Sequence, residues 1–291
     1  MSAPVARGAE ETLLQRFAHL RQSFAERLEA VSGLNEPSFV RSDWADRNTG
    51  LLEQVLSVPP SDFLRCPEIL HQMFVGAKYL PHELPYVLSR LADPALARED
   101  PVGDPPTSRI PGHQVTTSSN AVHHLHHLLR FEDISGRPVT TVDSVVEWGG
   151  GYGGLAKLFV RLHGGSPTYV LIDTPVFTAV QWLYLASVLG EAQVVLHAGP
   201  EVTVATGKIN IVPIGLACRL DLDVDLFIST WALNESSVDA QRFVLDRNWF
   251  SAPSLLLGMH AGDPFAPHAL DAGAVAVPLG NFMEGQQYLI R

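Results

Sequence analysis

The stretch Glu147-Trp148-Gly149-Gly150-Gly151-Tyr152-Gly153-Gly154 limits what this chain can fold into more than any other segment. It follows Ser144-Val145-Val146, a short apolar run of strand composition, and precedes residues 155–162, whose apolar spacing is helical. Glycines between a strand and a helix permit backbone angles closed to other residues and let the main chain lie against a ligand. Further strands are expected at 169–172, 193–196, 226–229 and 254–257, with a less regular extended pair at 201–214. Helices are expected near 175–189 and 237–246, and the tail from 274 to 291 reads as two strands joined around Gly280 or Gly285. This alternation predicts an α/β fold: a Rossmann-like, doubly wound, mostly parallel sheet with a C-terminal antiparallel strand pair.

A helical region precedes the sheet. Leu13, Leu14, Phe17, Leu20, Phe24, Leu28 and Val31 recur at three- and four-residue steps, which predicts one amphipathic helix over 10–31 ended by Ser32-Gly33. Shorter helices are expected near 47–57, 66–79 and 82–92. The segment 93–112, rich in Pro, Asp and Gly, reads as an exposed loop fit to serve as a lid. A further helix begins at Ser119-Asn120 and runs through AVHHLHHLLRFED to Gly136-Arg137-Pro138. The expected division is therefore an N-terminal helical, acceptor-binding region at 1–118 and a catalytic domain at 119–291.

Charge and cysteine usage bound the partners. With 20 basic and 31 acidic residues the net charge is −11, and no local Lys/Arg cluster offsets it, so nucleic acid is a poor match. No apolar run approaches the roughly 18 residues of a membrane span, and the N-terminus lacks the apolar core of a signal peptide. Cys66 and Cys218 stand far apart in no metal-binding pattern, which fits a reducing cytoplasm. The expected partner is a small-molecule acceptor, with a homodimer through the N-terminal helices as an additional association.

Two ligand patterns share the glycines. Gly149, Gly151 and Gly154 satisfy GxGxxG, the dinucleotide fingerprint; Glu147, Gly149, Gly151 and Gly153 satisfy ExGxGxG, the pattern of enzymes that use S-adenosylmethionine (SAM). The acid before the first glycine favours SAM, which presents a cationic amino group there and no pyrophosphate. Asp173, about twenty residues past the glycines at the end of the second strand, suits the two ribose hydroxyls of either ligand. An N-cap for the helix at Pro175 is the structural alternative.

From Asn120 to Ser236 the chain resembles the sugar O-methyltransferase family of bacterial carbohydrate and natural-product clusters. The resemblance rests on NAVHHLHHLLRFED, VVEWGGGYGGLAKLF, VLIDTP and DLFISTWALNES. It implies SAM as methyl donor and a hydroxyl on a sugar or sugar-like metabolite as acceptor; the first 110 residues carry no part of it.

Methyl transfer from a sulfonium is an in-line displacement, so the protein supplies position and a destination for the acceptor's proton. In a parallel sheet the reacting groups lie beyond the carboxyl ends of the central strands. His260 is the first candidate for general base and Glu235 the second, with His197 also on that edge. Thr230, Trp231, Tyr152, Ser119 and Asn120 join Glu147, Gly149, Gly151 and Asp173 as cofactor contacts. Asn234, His123 and His127 are assigned to the acceptor, the two histidines sharing a helix face. His123, His124, His126 and His127 invite a metal, but no HExxH pattern or nearby acid completes a ligand set, and none is expected. Two rival functions remain: a nicotinamide-dependent oxidoreductase using the same glycines and Asp173, and a non-catalytic subunit of SAM-enzyme fold that regulates a partner.

Overall fold

The computed structural model describes residues 4–57 and 61–291. Five helices come first: α1 (Pro4–Leu20), α2 (Phe24–Ser32), α3 (Ser42–Ser57), α4 (Pro67–Met73) and α5 (Leu80–Arg90). A two-stranded ladder, β1 (Ser108–Arg109) with β2 (Thr116–Thr117), leads into α6 (Ser119–Ser135). Then follow β3 (Ser144–Trp148), α7 (Gly154–His163), β4 (Thr168–Asp173), α8 (Pro175–Leu189), β5 (Val194–Leu196), β6 (Ile209–Pro213) and β7 (Leu226–Thr230). The chain closes with α9 (Val238–Asp246), β8 (Ser254–His260), α10 (Ala266–Asp271), β9 (Val275–Pro278) and β10 (Gln286–Ile290).

The main sheet has the order β5-β6-β4-β3-β7-β8-β10-β9. It is parallel from β5 to β8, while β10 runs antiparallel to both of its neighbours. The chain starts in the middle at β3, builds outward through β4 and β6, then returns to the other side through β7 and β8. That reversal opens a crevice at the carboxyl ends of β3, β4 and β7. The fold is thus Rossmann-like α/β with an antiparallel C-terminal pair, as the sequence predicts.

Strand composition explains the two covered faces. Val145, Tyr169, Leu171 and Ile228 pack into one apolar cluster with α6, α7 and α8, while Val146, Val170, Ile172 and Phe227 pack into another with α9. Successive residues go to opposite faces, so a strand buried on both must be apolar throughout. Helix α8 is apolar all round because it is covered twice, by the sheet on one side and by α1 and α2 on the other. Phe17, Leu20, Phe24 and Leu28 thereby join the same cluster as the sheet.

Several local expectations change. The helix expected over 10–31 breaks at Arg21–Ser23 into a tighter turn, and the one expected over 66–79 ends at Met73. Within 201–214 only β6 is a strand, and it lies between β5 and β4, which moves β5 to the sheet edge. The largest correction concerns 93–112, which is no exposed lid. Ala97, Val102 and Ile110 are buried, and so are Glu99 and Asp100. Lys157 Nζ of α7 lies 2.7 Å from Glu99 Oε1 and 3.2 Å from Asp100 Oδ2, and Arg161 lies 2.9 Å from Asp100. Proline and glycine signal irregular backbone, not exposure; here buried ion pairs and three apolar anchors hold the irregular path against α7.

Candidate cofactor and acceptor cleft

A cleft of about 390 Å³ occupies the crevice. Its floor is the glycine loop with Glu147 and Asp173; Thr230 and Trp231 border it at the end of β7. The N-terminal region supplies two walls, Phe39 to Trp44 on one side and Met73, Val75 and Tyr79 on the other. The structure brings together Glu147, Gly149, Gly151, Tyr152, Asp173, Thr230, Trp231, Asn120, His123, His127 and Glu235 around this one space.

The loop holds its shape through backbone angles that need glycine. Gly149 and Gly151 have φ of +74° and +58°, and a Cβ on Gly149 would collide with the methyl of Ala232. Gln181 of α8 ties the loop down, donating to the Gly151 carbonyl at 2.8 Å and to Asp173 Oδ2 at 2.9 Å. The cleft lining stops at Tyr152. Beyond it Gly154, the first residue of α7, is buried under the Tyr152 ring and close to His124, which is half-buried and borders the cleft. The start of α7, where a pyrophosphate would seek backbone N–H groups, is therefore covered by protein.

Two carboxyl groups flank the loop. Glu147 is buried and accepts from the Tyr169 hydroxyl at 2.7 Å. Burial pushes its carboxyl up to about 7, against the Tyr169 hydrogen bond and with help from the charge of Asp173. Asp173 is also pushed up to about 7 by burial, although three donors oppose the shift. Its Oδ2 accepts from Gly151 N (3.1 Å) and Gln181, and its Oδ1 from Thr174 N (2.8 Å). A carboxylate has about four acceptor sites, so Asp173 retains about one, on Oδ1. The sequence assigns both ribose hydroxyls to Asp173, whereas its protein partners leave room for about one further bond. Thr174, not Asp173, is the N-cap position of α8.

Asn120 adds an unpaired acceptor. Its Nδ2 donates to the Tyr152 hydroxyl at 3.0 Å, which leaves the buried Oδ1 without a partner. Glu147, Asp173 and Asn120 all border the cleft, and acceptors of this kind suit a cationic amino group and a ribose hydroxyl. The residues present thus fit SAM.

Helix α6 places its histidines by turn. Ser118 caps it, accepting from Ala121 N, one residue earlier than the sequence implies. His123 Nδ1 lies 2.6 Å from Glu83 Oε1, a buried carboxylate of α5. His127 and His126 share the Tyr288 hydroxyl, at 2.6 and 3.0 Å. Burial, reinforced by the neighbouring His123, pushes His124 and His126 down to about 3 and His127 well below the usual imidazole range. Of the four, only His123 has a carboxyl oxygen at hydrogen-bond distance among the described residues. Among the described residues no group of three or more His, Cys, Asp or Glu side chains is placed to hold a metal, and no described helix is long and apolar enough to cross a membrane.

Four predicted residues fall outside the lining. His260, at the end of β8, is exposed and meets Gln286 Nε2 at 2.9 Å; Gln286, not His260, borders the cleft. The antiparallel β10 explains this, since it continues the sheet past β8 and sets Gln286 opposite His260. Ser119 spends its hydroxyl on the Val75 carbonyl (2.8 Å). Asn234 lies in the turn Leu233–Glu235 behind Trp231 and Ala232. His197 follows the edge strand and pairs with Asn210 (3.1 Å). Glu235, which does border the cleft, accepts from the Trp44 indole at 3.1 Å; burial pushes its carboxyl up, against that bond. Glu83, Trp44, Tyr288 and Gln286 were not singled out from sequence. Only Glu83 carries a local signal there, as an acid within the helix expected over 82–92.

No protein-family model matches the chain, and no curated protein does. Among solved structures it is similar to fibrillarin of Aeropyrum pernix with natively bound SAM, at 14% identity over 57% of this chain and 73% of that one, with a TM-score of 0.39. It is likewise similar to magnesium protoporphyrin IX methyltransferase of Synechocystis with bound SAM, at 12% identity over 74% and 96%, TM-score 0.38. The mitomycin 7-O-methyltransferase MmcR gives 11% identity over 85% and 67%, TM-score 0.36. The fold rests on the strand order described above, and the chemistry of the cleft on its own residues.

Proposed function

We propose that this chain is a SAM-dependent methyltransferase acting on a hydroxyl of a sugar or sugar-like small molecule. The observation that carries the reading is the set of acceptors around the glycine loop: Glu147 and Asp173 flank it, and Asn120, which borders the same cleft, has an amide oxygen with no partner among the described residues. SAM supplies a methyl group on a cationic sulfur. Glu147 and Asn120 would hold its amino group, Asp173 Oδ1 one ribose hydroxyl, and the Gly149–Gly151 backbone would let it lie close to the sheet.

A nicotinamide dinucleotide fits less well. Its pyrophosphate would meet two carboxyl groups and a helix start already covered by Tyr152 and His124. The far end of the cleft favours a neutral, hydroxyl-bearing ring. Tyr79 and Trp231 offer flat faces and Gln72 and Gln286 offer amides, which suits stacking with hydrogen bonding to a sugar. The resemblance of the α6, glycine-loop and post-β7 segments to sugar O-methyltransferases points the same way.

Calorimetric titration with S-adenosylhomocysteine (SAH, the demethylated product), SAM, NAD and NADP tests the reading. Micromolar binding of SAH, weakened at least ten-fold by Asp173→Ala, is the expected result. Tight binding of NAD without SAH would replace it with an oxidoreductase.

A further inference from the structure

We propose that His123 is the general base of this transfer and Glu83 its positioning partner, so that an N-terminal helix completes the catalytic centre. The inference rests on the methyltransferase reading and names the residue that takes the proton.

Glu83 projects from α5 onto α6, and His123 stands between it and the cleft. The ring turns Nδ1 to Glu83 Oε1 at 2.6 Å. Its Nε2 makes no hydrogen bond to any described residue, and His123 borders the cleft. A carboxylate acceptor at Nδ1 fixes the tautomer with its proton on Nδ1 and the lone pair on Nε2, as a base requires. Trp231 and His127 hold the ring in place, with centroids 5.9 and 4.1 Å away.

Charge balance gives the second argument. Glu83 is 1% exposed, and its Oε2 has no hydrogen-bond partner among the described residues. A buried carboxylate so poorly satisfied is costly unless a positive charge comes to it. The reaction delivers one. The acceptor oxygen forms its bond to the methyl carbon as the carbon–sulfur bond breaks, with that electron pair going to sulfur. The hydroxyl proton passes to Nε2. Positive charge thus moves from sulfur to the imidazole ring, whose Nδ1 lies 2.6 Å from Glu83 Oε1. The other three histidines of α6 have no carboxylate at hydrogen-bond distance; His126 Nδ1 is 4.0 Å from Glu83 and lies outside the cleft lining.

Two measurements on the full chain decide it. The first is long-range proton–nitrogen correlation on histidine-labelled protein saturated with SAH, with His123→Asn identifying the resonance. The expected signal is a proton on Nδ1 and a bare Nε2, lost in Glu83→Gln; a proton on Nε2 in the wild-type protein overturns the proposal. The second is SAH release from SAM across a panel of methyl glycosides. His123→Asn is expected to lower kcat by about 10²–10⁴ while SAH affinity stays within about three-fold. Glu83→Gln is expected to lower kcat at least ten-fold with KM little changed, and Glu83→Asp to restore part of it. Turnover that survives His123→Asn but not His260→Ala would sink the assignment. If wild-type protein fails to bind SAH, the methyltransferase reading fails with it; if SAH binds and the histidine results are negative, only the dyad does.

Discussion

Glu147 and Asp173 sit at the carboxyl ends of adjacent strands, β3 and β4, and both carboxyl groups are pushed up to about 7 with no cation between them. Such a pair is costly to ionise in the empty cleft and favourable to ionise once a cationic ligand arrives. Both pKa values are raised on folding, so their stabilising contribution is complete below pH 4 and lost as pH rises through about 7. For Glu147 the shift from 4.5 to about 7 corresponds to about 3 kcal/mol; Asp173 opens partly to the cleft and costs less. Glu147→Gln is therefore expected to raise the Tm of ligand-free protein at pH 8 and leave it little changed at pH 4. The same change should weaken SAH binding at least ten-fold. Calorimetry in buffers of different ionisation enthalpy should show wild-type protein releasing protons on binding SAH at pH 6. Proton uptake there would mean that the amino group lies elsewhere.

This pair also shows how far the sequence reaches. Glu147, the glycines and Asp173 are legible because strand, turn and helix place them by local rules, and the ligand pattern is written in consecutive residues. The base is not. Sequence ranks His260 first because it follows a predicted strand at the productive edge, and it gives His123 on its helix only to the acceptor. What separates them is tertiary: β10 puts Gln286 between His260 and the cleft, and α5 brings Glu83 to His123 from 40 residues away. The 93–112 segment was misread for a related reason. Its composition describes its backbone, whereas its burial depends on Lys157 and Arg161, which lie on the far side of the glycine loop in sequence.

The buried ions of that segment make a stability prediction. Burial alone would raise the Asp100 carboxyl, but Lys157 and Arg161 outweigh it and hold the carboxyl below the usual range. This stabilisation is present above pH 4 and lost as pH falls through the depressed value. Lys157→Met would leave Glu99 and Asp100 buried with Arg161 as their nearest remaining cation. The expected loss is about 3–5 kcal/mol, read as a fall in urea midpoint at pH 7 that shrinks toward pH 3. A loss independent of pH would show that Lys157 acts by packing alone.

Gly149 carries a sharper test. With φ of +74° and Ala232 in the way, Gly149→Ala adds backbone strain to a collision, so the loop must move. SAH affinity should drop at least ten-fold. Gly33 is the control, since its φ is −82° and a Cβ there meets nothing within 4 Å. Gly33→Ala should leave both binding and Tm unchanged or slightly improved. Equal effects from the two would mean that the loop angles are irrelevant to the ligand.

Trp231 borders the cleft at the end of β7. It holds φ of +56°, an uncommon angle for a bulky side chain, and three contacts fix it. Its N–H donates to the Gly258 carbonyl at 2.8 Å and its indole to Gln286 Oε1 at 2.6 Å, while its ring lies flat enough on Gly258 that a Cβ there would sit 2.7 Å from it. Gly258→Ala must therefore push the ring toward the histidines, at an overpacking cost of about 1–3 kcal/mol. Gly258 lies outside the lining, and the ring centroid is 5.9 and 5.5 Å from those of His123 and His127. The substitution should raise the KM for a glycoside acceptor at least ten-fold while SAH binding changes less than about three-fold. If SAH binding falls in step with acceptor use, Trp231 walls the cofactor instead, and the acceptor must enter between Trp44 and Glu235.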